Sequence, residues 1–277
     1  MSNKLIAIII LIGILSGCQD SRQRAEEREK FGIELFEKGD YSKAQLEFKS
    51  ALKEDGTLAT TYYYLALLNE KNRSYKAMRG NLIQVVKLTP DNIDARLKLG
   101  QIHLLFDDLD AALIEADEVL RYSKDNADAL LLKSAVFIKQ DKQGDALVLI
   151  EEILQKDPEH IEAISLKALV LMLNEQFESA LMLVNPVIDS GVDDVALHML
   201  KIQLDAKQKN IDAVVADYER LVKLYPDKKE FKFALAKMYA QANRKRDAEN
   251  LLREVVNSEP LEIQPKLILL DFLNSLG

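Results

Sequence analysis

Residues 31–52, FGIELFEKGDYSKAQLEFKSAL, contain a pattern of small and bulky residues that returns every 34 residues along the chain. Proline marks the same period, since four of the six prolines are spaced by 68, 68 and 34 residues: Pro90, Pro158, Pro226 and Pro260. Proline does not continue a helix and therefore punctuates the step between helical units. A 34-residue period of this kind predicts paired helices that stack as repeats.

Counting from residue 25 gives seven units and a half unit: residues 25–58, 59–92, 93–126, 127–160, 161–194, 195–228, 229–262 and 263–277. Position 8 of these repeats is small in six of the seven: Gly32, Ala66, Gly100, Ser134, Ala168 and Ala236. Bulky residues return at positions 24 and 27 in six of the seven repeats each, with Ala116 and Ala51 as the exceptions. Small side chains let two helices approach closely and bulky ones fill the remaining space. The apolar spacing of three and four residues favours helices over strands.

The chain resembles the tetratricopeptide repeat family from about residue 25 to residue 260. The first repeat carries the resemblance most fully, through Gly32, the turn Gly39-Asp40-Tyr41, Ala44 and Phe48. The resemblance implies an all-α fold, a right-handed superhelix (α-solenoid) of about seven helix-turn-helix repeats plus one terminal helix. One repeat alone does not bury its apolar face, so stacking supplies the core.

Two repeats depart from the pattern. In repeat six, Lys201, Ile202 and Asp205 replace the usual leucine, small residue and tyrosine, which leaves the register of its first helix open. In repeat five, Pro186 falls inside the second helix, where it removes a hydrogen bond. It indicates either a hinge or an early helix stop that packing repairs.

Residues 1–17 form a separate element. Lys4 provides a positive start, residues 5–15 are an apolar run with one glycine, and the run is shorter than the roughly 20 residues of a spanning helix. The ending Leu15-Ser16-Gly17-Cys18 resembles the lipobox of bacterial lipoproteins. The resemblance implies cleavage after Gly17 and lipidation of Cys18, the sole cysteine. The alternative is an uncleaved anchor with an unmodified cysteine.

A lipidated Cys18 implies attachment to a membrane of the bacterial cell envelope, because several acyl chains anchor a protein stably. Residues 18–24 are then a short tether that holds the repeats near the bilayer. The sorting rule that the resemblance brings retains lipoproteins with Asp after the cysteine in the inner membrane. Gln19 stands there, which favours the periplasmic face of the outer membrane, although Asp20 follows and leaves the choice of membrane open.

The composition argues against nucleic-acid binding and catalysis. The formal net charge is −8, and an acidic surface repels phosphate backbones. The histidines His103, His160 and His198 occupy positions 11, 34 and 4 of three different repeats and do not share a face. Zinc-protease, phosphate-loop and nucleophile-elbow motifs are missing from the sequence. We expect no enzyme activity, no cofactor and no metal.

In the family that the chain resembles, positions 2, 5, 9, 12 and 13 line a concave face. Here they predict an apolar groove with an acidic edge, made of Tyr63, Leu67, Leu97, Gln101, Leu104, Leu131, Ile138, Leu169, Met172, Met199 and Phe233. Such a strip favours a protein or peptide partner with apolar and basic side chains. The alternative is that these side chains pack against neighbouring helices. Positions 5 and 9 lack the Lys and Asn that would clamp a terminal carboxylate, so that mode is not supported.

Residues 263–276 resemble the first helix of an eighth repeat, and eight of these fourteen residues are apolar. This apolar surface could be covered in three ways: by another protein, by a second copy of the chain through self-association, or by further repeats of a longer gene product.

Together these features predict a membrane-anchored scaffold lipoprotein that mediates protein–protein interactions in cell-envelope assembly or in exopolysaccharide or protein export. The lipobox followed at once by repeats resembles the exosortase-associated tetratricopeptide lipoproteins. One alternative is an assembly lipoprotein of type IV pili or outer-membrane proteins, and another is an adaptor of a periplasmic hydrolase or protease.

Overall fold

The computed structural model describes residues 21–275, which form helices joined by short turns, with no strand in that range. The first helices of the repeats are α1 (residues 21–37), α3 (Ala59–Lys71), α5 (Ile93–Leu105), α7 (Ala127–Lys139), α9 (Ile161–Leu173), α11 (Val195–Lys207), α13 (Lys229–Gln241) and α15 (Ile263–Asn274). The second helices are α2 (Tyr41–Glu54), α4 (Tyr75–Leu88), α6 (Leu109–Tyr122), α8 (Gln143–Lys156), α10 (Phe177–Asp189), α12 (Ile211–Leu224) and α14 (Lys245–Ser258). The predicted all-α repeat fold is confirmed.

The described helices belong to two compact units, divided between residues 141 and 142. In the described part of the first unit, the core includes Phe48 beside Ala44, Leu65 and Leu68. A side chain on Gly32 would place its Cβ 2.6 Å from the Phe48 ring, so a small residue at position 8 is what lets the two helices meet.

The core of the second unit repeats this pairing of small and bulky residues. Ala168 and Ala180 pack with Val184, Leu197 and Leu204 in one cluster. Ala236, Ala248, Leu252 and Leu269 form another. Leu269 lies in α15, so the last helix is held by the same kind of contact that joins the earlier helices.

Every hairpin turns through a left-handed residue at position 15. Gly39 has φ of 80°, and the Gly39 amide donates to the Phe36 carbonyl while the Asp40 amide donates to the Leu35 carbonyl, at 3.0 and 2.9 Å. This is a Schellman motif. The same left-handed φ occurs at Arg73, Asp107, Asp141, Glu175, Lys209 and Asn243. The turn is therefore set by the repeat geometry and not by glycine alone.

The unusual residues of repeat six leave its register intact. The Lys201 ammonium group donates to Asp205 and Asp217 at 2.8 and 2.7 Å. Ile202 is buried with Val214 and Leu221. An ion-pair network thus takes the place of the usual leucine and tyrosine.

Pro186 shortens its helix without breaking it. α10 continues three residues beyond Pro186 and has 13 residues, whereas the neighbouring second helices α8 and α12 have 14. Val184 and Ile188, on either side of the proline, are buried. This geometry matches the early stop repaired by packing.

The lipobox residues Leu15, Ser16 and Gly17 and the lipidation site Cys18 lie outside the described residues. Residues 21–24, the described part of the predicted tether, are helical and lead directly into Ala25. Ala25 is buried beside Ala51 and Leu58, and Arg24 lies 3.0 Å from Glu54. These contacts draw the segment into the first repeat.

Across residues 21–275, no helix combines the length and the apolar character that crossing a membrane requires.

Candidate protein-binding site

Helices α3, α5 and α7 of the first unit carry the accessible part of the predicted groove. Tyr63 and Leu67 on α3, Leu104 on α5 and Leu131 on α7 are half-buried, and Gln101 on α5 is exposed. Each of these residues occupies position 5, 9 or 12 of its repeat. Their side chains are partly held by packing and partly open to a ligand. We call these five residues the inner face of the first unit.

Leu97 and Ile138 were predicted to line the groove, and for these two residues the prediction is wrong. They are only 8% and 9% exposed. Leu97 packs with Val119 and Ala129, where the small alanine leaves room for the leucine side chain. Both residues belong to the core, and for them the alternative of packing against neighbouring helices holds.

Acidic residues flank the inner face of the first unit. Asp94 and Asp128 are the second residues of α5 and α7, are exposed, and form no ion pair within residues 21–275. Glu70 is engaged by Lys98, with 2.9 Å between the ammonium nitrogen and a carboxylate oxygen. Burial raises the pKa of Tyr63, and the negative charges of Asp94 and Glu70 raise it further. The tyrosine therefore stays protonated beside an acidic edge.

In the second unit the predicted groove residues Leu169, Met172, Met199 and Phe233 are half-buried, like most of the inner face of the first unit. Met172 packs against the Ala168 cluster, Met199 against the Ile202 cluster and Phe233 against the Ala236 cluster. Position 9 is polar and exposed at Gln203 and Lys237, as it is at Gln101 in the first unit. We take the first unit as the candidate surface because the exposed carboxylates of Asp94 and Asp128 lie on the same helices as its apolar residues.

The prediction missed exposed apolar residues on the second helices. Position 22 carries Leu46, Ile114, Val148 and Met182, which are among the most exposed large apolar side chains of the described chain. Their spacing by 34 residues or a multiple of 34 was a signal in the sequence, but the predicted binding face included only positions of the first helices.

Among the described residues, no three His, Cys, Asp or Glu side chains converge in a way that would hold a metal ion. A comparison with proteins of curated function finds no match.

The comparisons with known proteins agree with this geometry. Residues 199–260 match the family model named tetratricopeptide repeat. A tetratricopeptide repeat protein from Parabacteroides merdae superposes with a TM-score of 0.68 at 14% identity, covering 91% of this chain and 99% of that chain. PilW, described as a widely conserved type IV pilus biogenesis factor, gives 0.61 at 18% identity, covering 77% and 99%. YrrB, described as having an unusual peptide-binding site, gives 0.56 at 20% identity, covering 70% and 97%. These structures share the fold of stacked helical hairpins.

Proposed function

We propose that this chain, a tetratricopeptide repeat protein, is a membrane-anchored scaffold that binds a protein partner through the inner face of its first unit. The observation that carries the proposal is the juxtaposition of accessible apolar side chains with the unpaired carboxylates of Asp94 and Asp128. The net charge of −8 extends this acidic character to the whole chain.

The chemistry of the surface selects the partner. Tyr63, Leu67 and Leu131 offer apolar area that a helix or an extended segment covers, while carboxylates at the edge attract Lys or Arg. YrrB shows that a protein of this fold holds a peptide-binding site. For the present chain we expect a peptide segment with bulky apolar residues and at least one basic residue.

Charge reversal at the edge tests the binding face. Asp94→Lys/Asp128→Lys changes two exposed residues without touching the core. Asp110→Lys/Asp212→Lys is the matched control, because these exposed aspartates are also the second residues of their helices, α6 and α12. After crosslinking in membranes and pull-down, the first variant should lose its partners and the control should keep them. If both variants retain the same partners, the assignment of partner binding to the inner face of the first unit is wrong.

The membrane anchor is a separate part of the proposal and has its own test. We expect Cys18→Ser to abolish incorporation of labelled palmitate and to release the chain from the membrane fraction. For the wild-type chain we expect sedimentation with outer membranes in a density gradient. Labelling that persists in Cys18→Ser refutes that acylation site.

The role in the envelope is proposed as assembly or export of exopolysaccharide or protein. A pilus-assembly role is the second candidate, favoured by the similarity to PilW over 77% of this chain. The identity of the crosslinked partner separates the two: a polysaccharide-export or exosortase component supports the first, and a pilus secretin or pilin supports the second.

A further inference from the structure

A second surface of the molecule lies between α8, α9 and α10. It is a groove of about 690 Å³. Ile161 and Ile164 of α9, Leu154 of α8, and Leu183 and Val187 of α10 supply its apolar lining. Nothing in the proposed function uses this groove, because that function was assigned to the first unit.

Helix α10, beside the groove, contains a carbonyl that lacks its usual intrahelical hydrogen-bond donor. Met182 and Pro186 both line the groove, one helical turn apart. Pro186 has no amide hydrogen, so the Met182 carbonyl loses the donor that every interior helical carbonyl otherwise has. No side chain within residues 21–275 donates to it instead. A donor from outside the chain, water or ligand, is needed to pair it.

The charged groups at the rim leave one carboxylate free. Lys167 and Glu151 form an ion pair, with 2.6 Å between the ammonium nitrogen and a carboxylate oxygen. Glu159 also lines the groove, is exposed, and forms no ion pair in the described chain. The side chain of Met182 is 77% exposed at the same rim, and an unbranched thioether adapts to a bound group. The rim therefore favours a basic neighbour beside an apolar group.

We propose that this groove binds a tryptophan side chain that a partner protein presents next to a lysine or arginine. The indole ring packs against the apolar lining, its N–H donates to the Met182 carbonyl, and the basic residue pairs with Glu159. Phenylalanine or leucine would also pack against the lining but would leave the carbonyl without a donor from the partner. Indole combines an apolar ring with an N–H donor, and the basic neighbour complements the charge of Glu159.

The absence of tryptophan from the chain makes this proposal directly measurable. The probe is the acetylated, amidated peptide Gly-Lys-Trp-Lys-Gly, titrated with the full-length chain in detergent, with indole fluorescence as the signal. We expect a saturable blue shift. The same peptide with 1-methyltryptophan keeps the ring but has no N–H donor, and we expect it to bind roughly fivefold more weakly, the effect of one hydrogen bond.

Two variants place the binding site. Met182→Glu sets a charge at the rim and should abolish the shift. Val148→Glu is the matched control, because Val148 is also exposed at position 22 of its repeat but does not line the groove. Pro186→Ala restores the amide hydrogen, so the preference for tryptophan over 1-methyltryptophan should disappear. Circular dichroism checks that each variant is folded.

Equal binding of the two peptides by the wild-type chain, or a preference that Pro186→Ala leaves unchanged, overturns the role of the carbonyl. A fluorescence blue shift that persists equally in Met182→Glu and Val148→Glu overturns the assignment of peptide binding to this groove. Neither result affects the inner face of the first unit, whose test uses different residues.

Discussion

Arg96 and Glu115 form an ion pair of 2.6 Å in the third repeat, at the same two repeat positions where Arg28 and Glu47 pair at 3.0 Å in the first. The Arg96 side chain is 9% exposed and the Arg28 side chain 44%. Arg96 also donates through Nε to the Pro90 carbonyl at 2.6 Å. One repeat pair therefore occurs twice in the same unit, once buried and once near solvent.

We predict that Arg96→Met destabilises the first unit by about 3–5 kcal/mol, because Glu115 is left buried without its cation. Arg28→Met should cost less than about 1 kcal/mol, since water screens an exposed pair. Urea-induced unfolding followed by circular dichroism measures both. Similar losses for the two variants would contradict the assignment of the cost to burial.

The Lys201 network of repeat six gives a second prediction. Burial alone would lower the pKa of Lys201, but its hydrogen bonds to Asp205 and Asp217 raise it. Lys201→Met leaves two carboxylates close together in the interior and should destabilise the second unit by about 3–5 kcal/mol.

The control replaces the whole network by the residues that repeat seven carries at the same positions, Leu235, Tyr239 and Leu251. We expect Lys201→Leu/Asp205→Tyr/Asp217→Leu to fold with wild-type stability or better, because apolar packing often equals a buried ion network. If the triple variant is as unstable as Lys201→Met, the lysine contributes something other than charge compensation.

His198 gives a pH dependence. It is 1% exposed and neither ring nitrogen has a hydrogen-bond partner in the described chain. Burial lowers its pKa, with help from the charges of Arg220 and Lys201 and against those of Asp193 and Asp194. As the pH falls below the unfolded value of about 6.5, the unfolded chain takes up a proton that the folded chain does not. Stability should therefore fall with acidification.

We expect His198→Leu to flatten this dependence between pH 8 and pH 5.5, because leucine occupies the same position, buried, as Leu130 in repeat four. The measurement is the shift in the urea midpoint of each protein between the two pH values, so that carboxylates common to both cancel. An equal shift in the two proteins assigns the acid sensitivity to other groups.

The sequence predicted the repeat period and the all-α fold because both depend on residue size at regular intervals. It did not predict which inner positions stay accessible. Tyr63 and Leu97 share position 5, yet only Leu97 is buried, since Val119 and Ala129 enclose it. The accessibility of a side chain depends on its neighbours on other helices, and its position within the repeat does not identify those neighbours. The Lys201 network was missed for the same reason, because its partner Asp217 lies on the next helix.

Two glycines inside helices predict opposite effects. A Cβ on Gly32 would lie 2.6 Å from the buried Phe48 ring, whereas a Cβ on Gly80 would meet nothing within 4 Å. Gly32→Ala should therefore destabilise the first unit through overpacking, by about 1–3 kcal/mol. Gly80→Ala should stabilise it by roughly 0.5–1 kcal/mol through helix propensity. Thermal unfolding compares the two, and stabilisation by both substitutions would show that the helix contact at position 8 is loose.

The left-handed turn at position 15 predicts a reciprocal pair of effects. Gly39 has φ of 80°, and a Cβ added to it would meet nothing within 4 Å, so Gly39→Ala adds backbone strain without a clash and should cost about 1 kcal/mol. Lys209 has φ of 59° and carries a side chain, so its backbone is already strained in the native state. Lys209→Gly should relieve it and stabilise the second unit by about 0.5–1 kcal/mol after the extra freedom of glycine in the unfolded chain is subtracted. Asn243→Gly should gain less, because asparagine tolerates the left-handed region. Urea midpoints of the three variants check the order, and a loss of stability in Lys209→Gly would show that its side-chain contacts outweigh the strain.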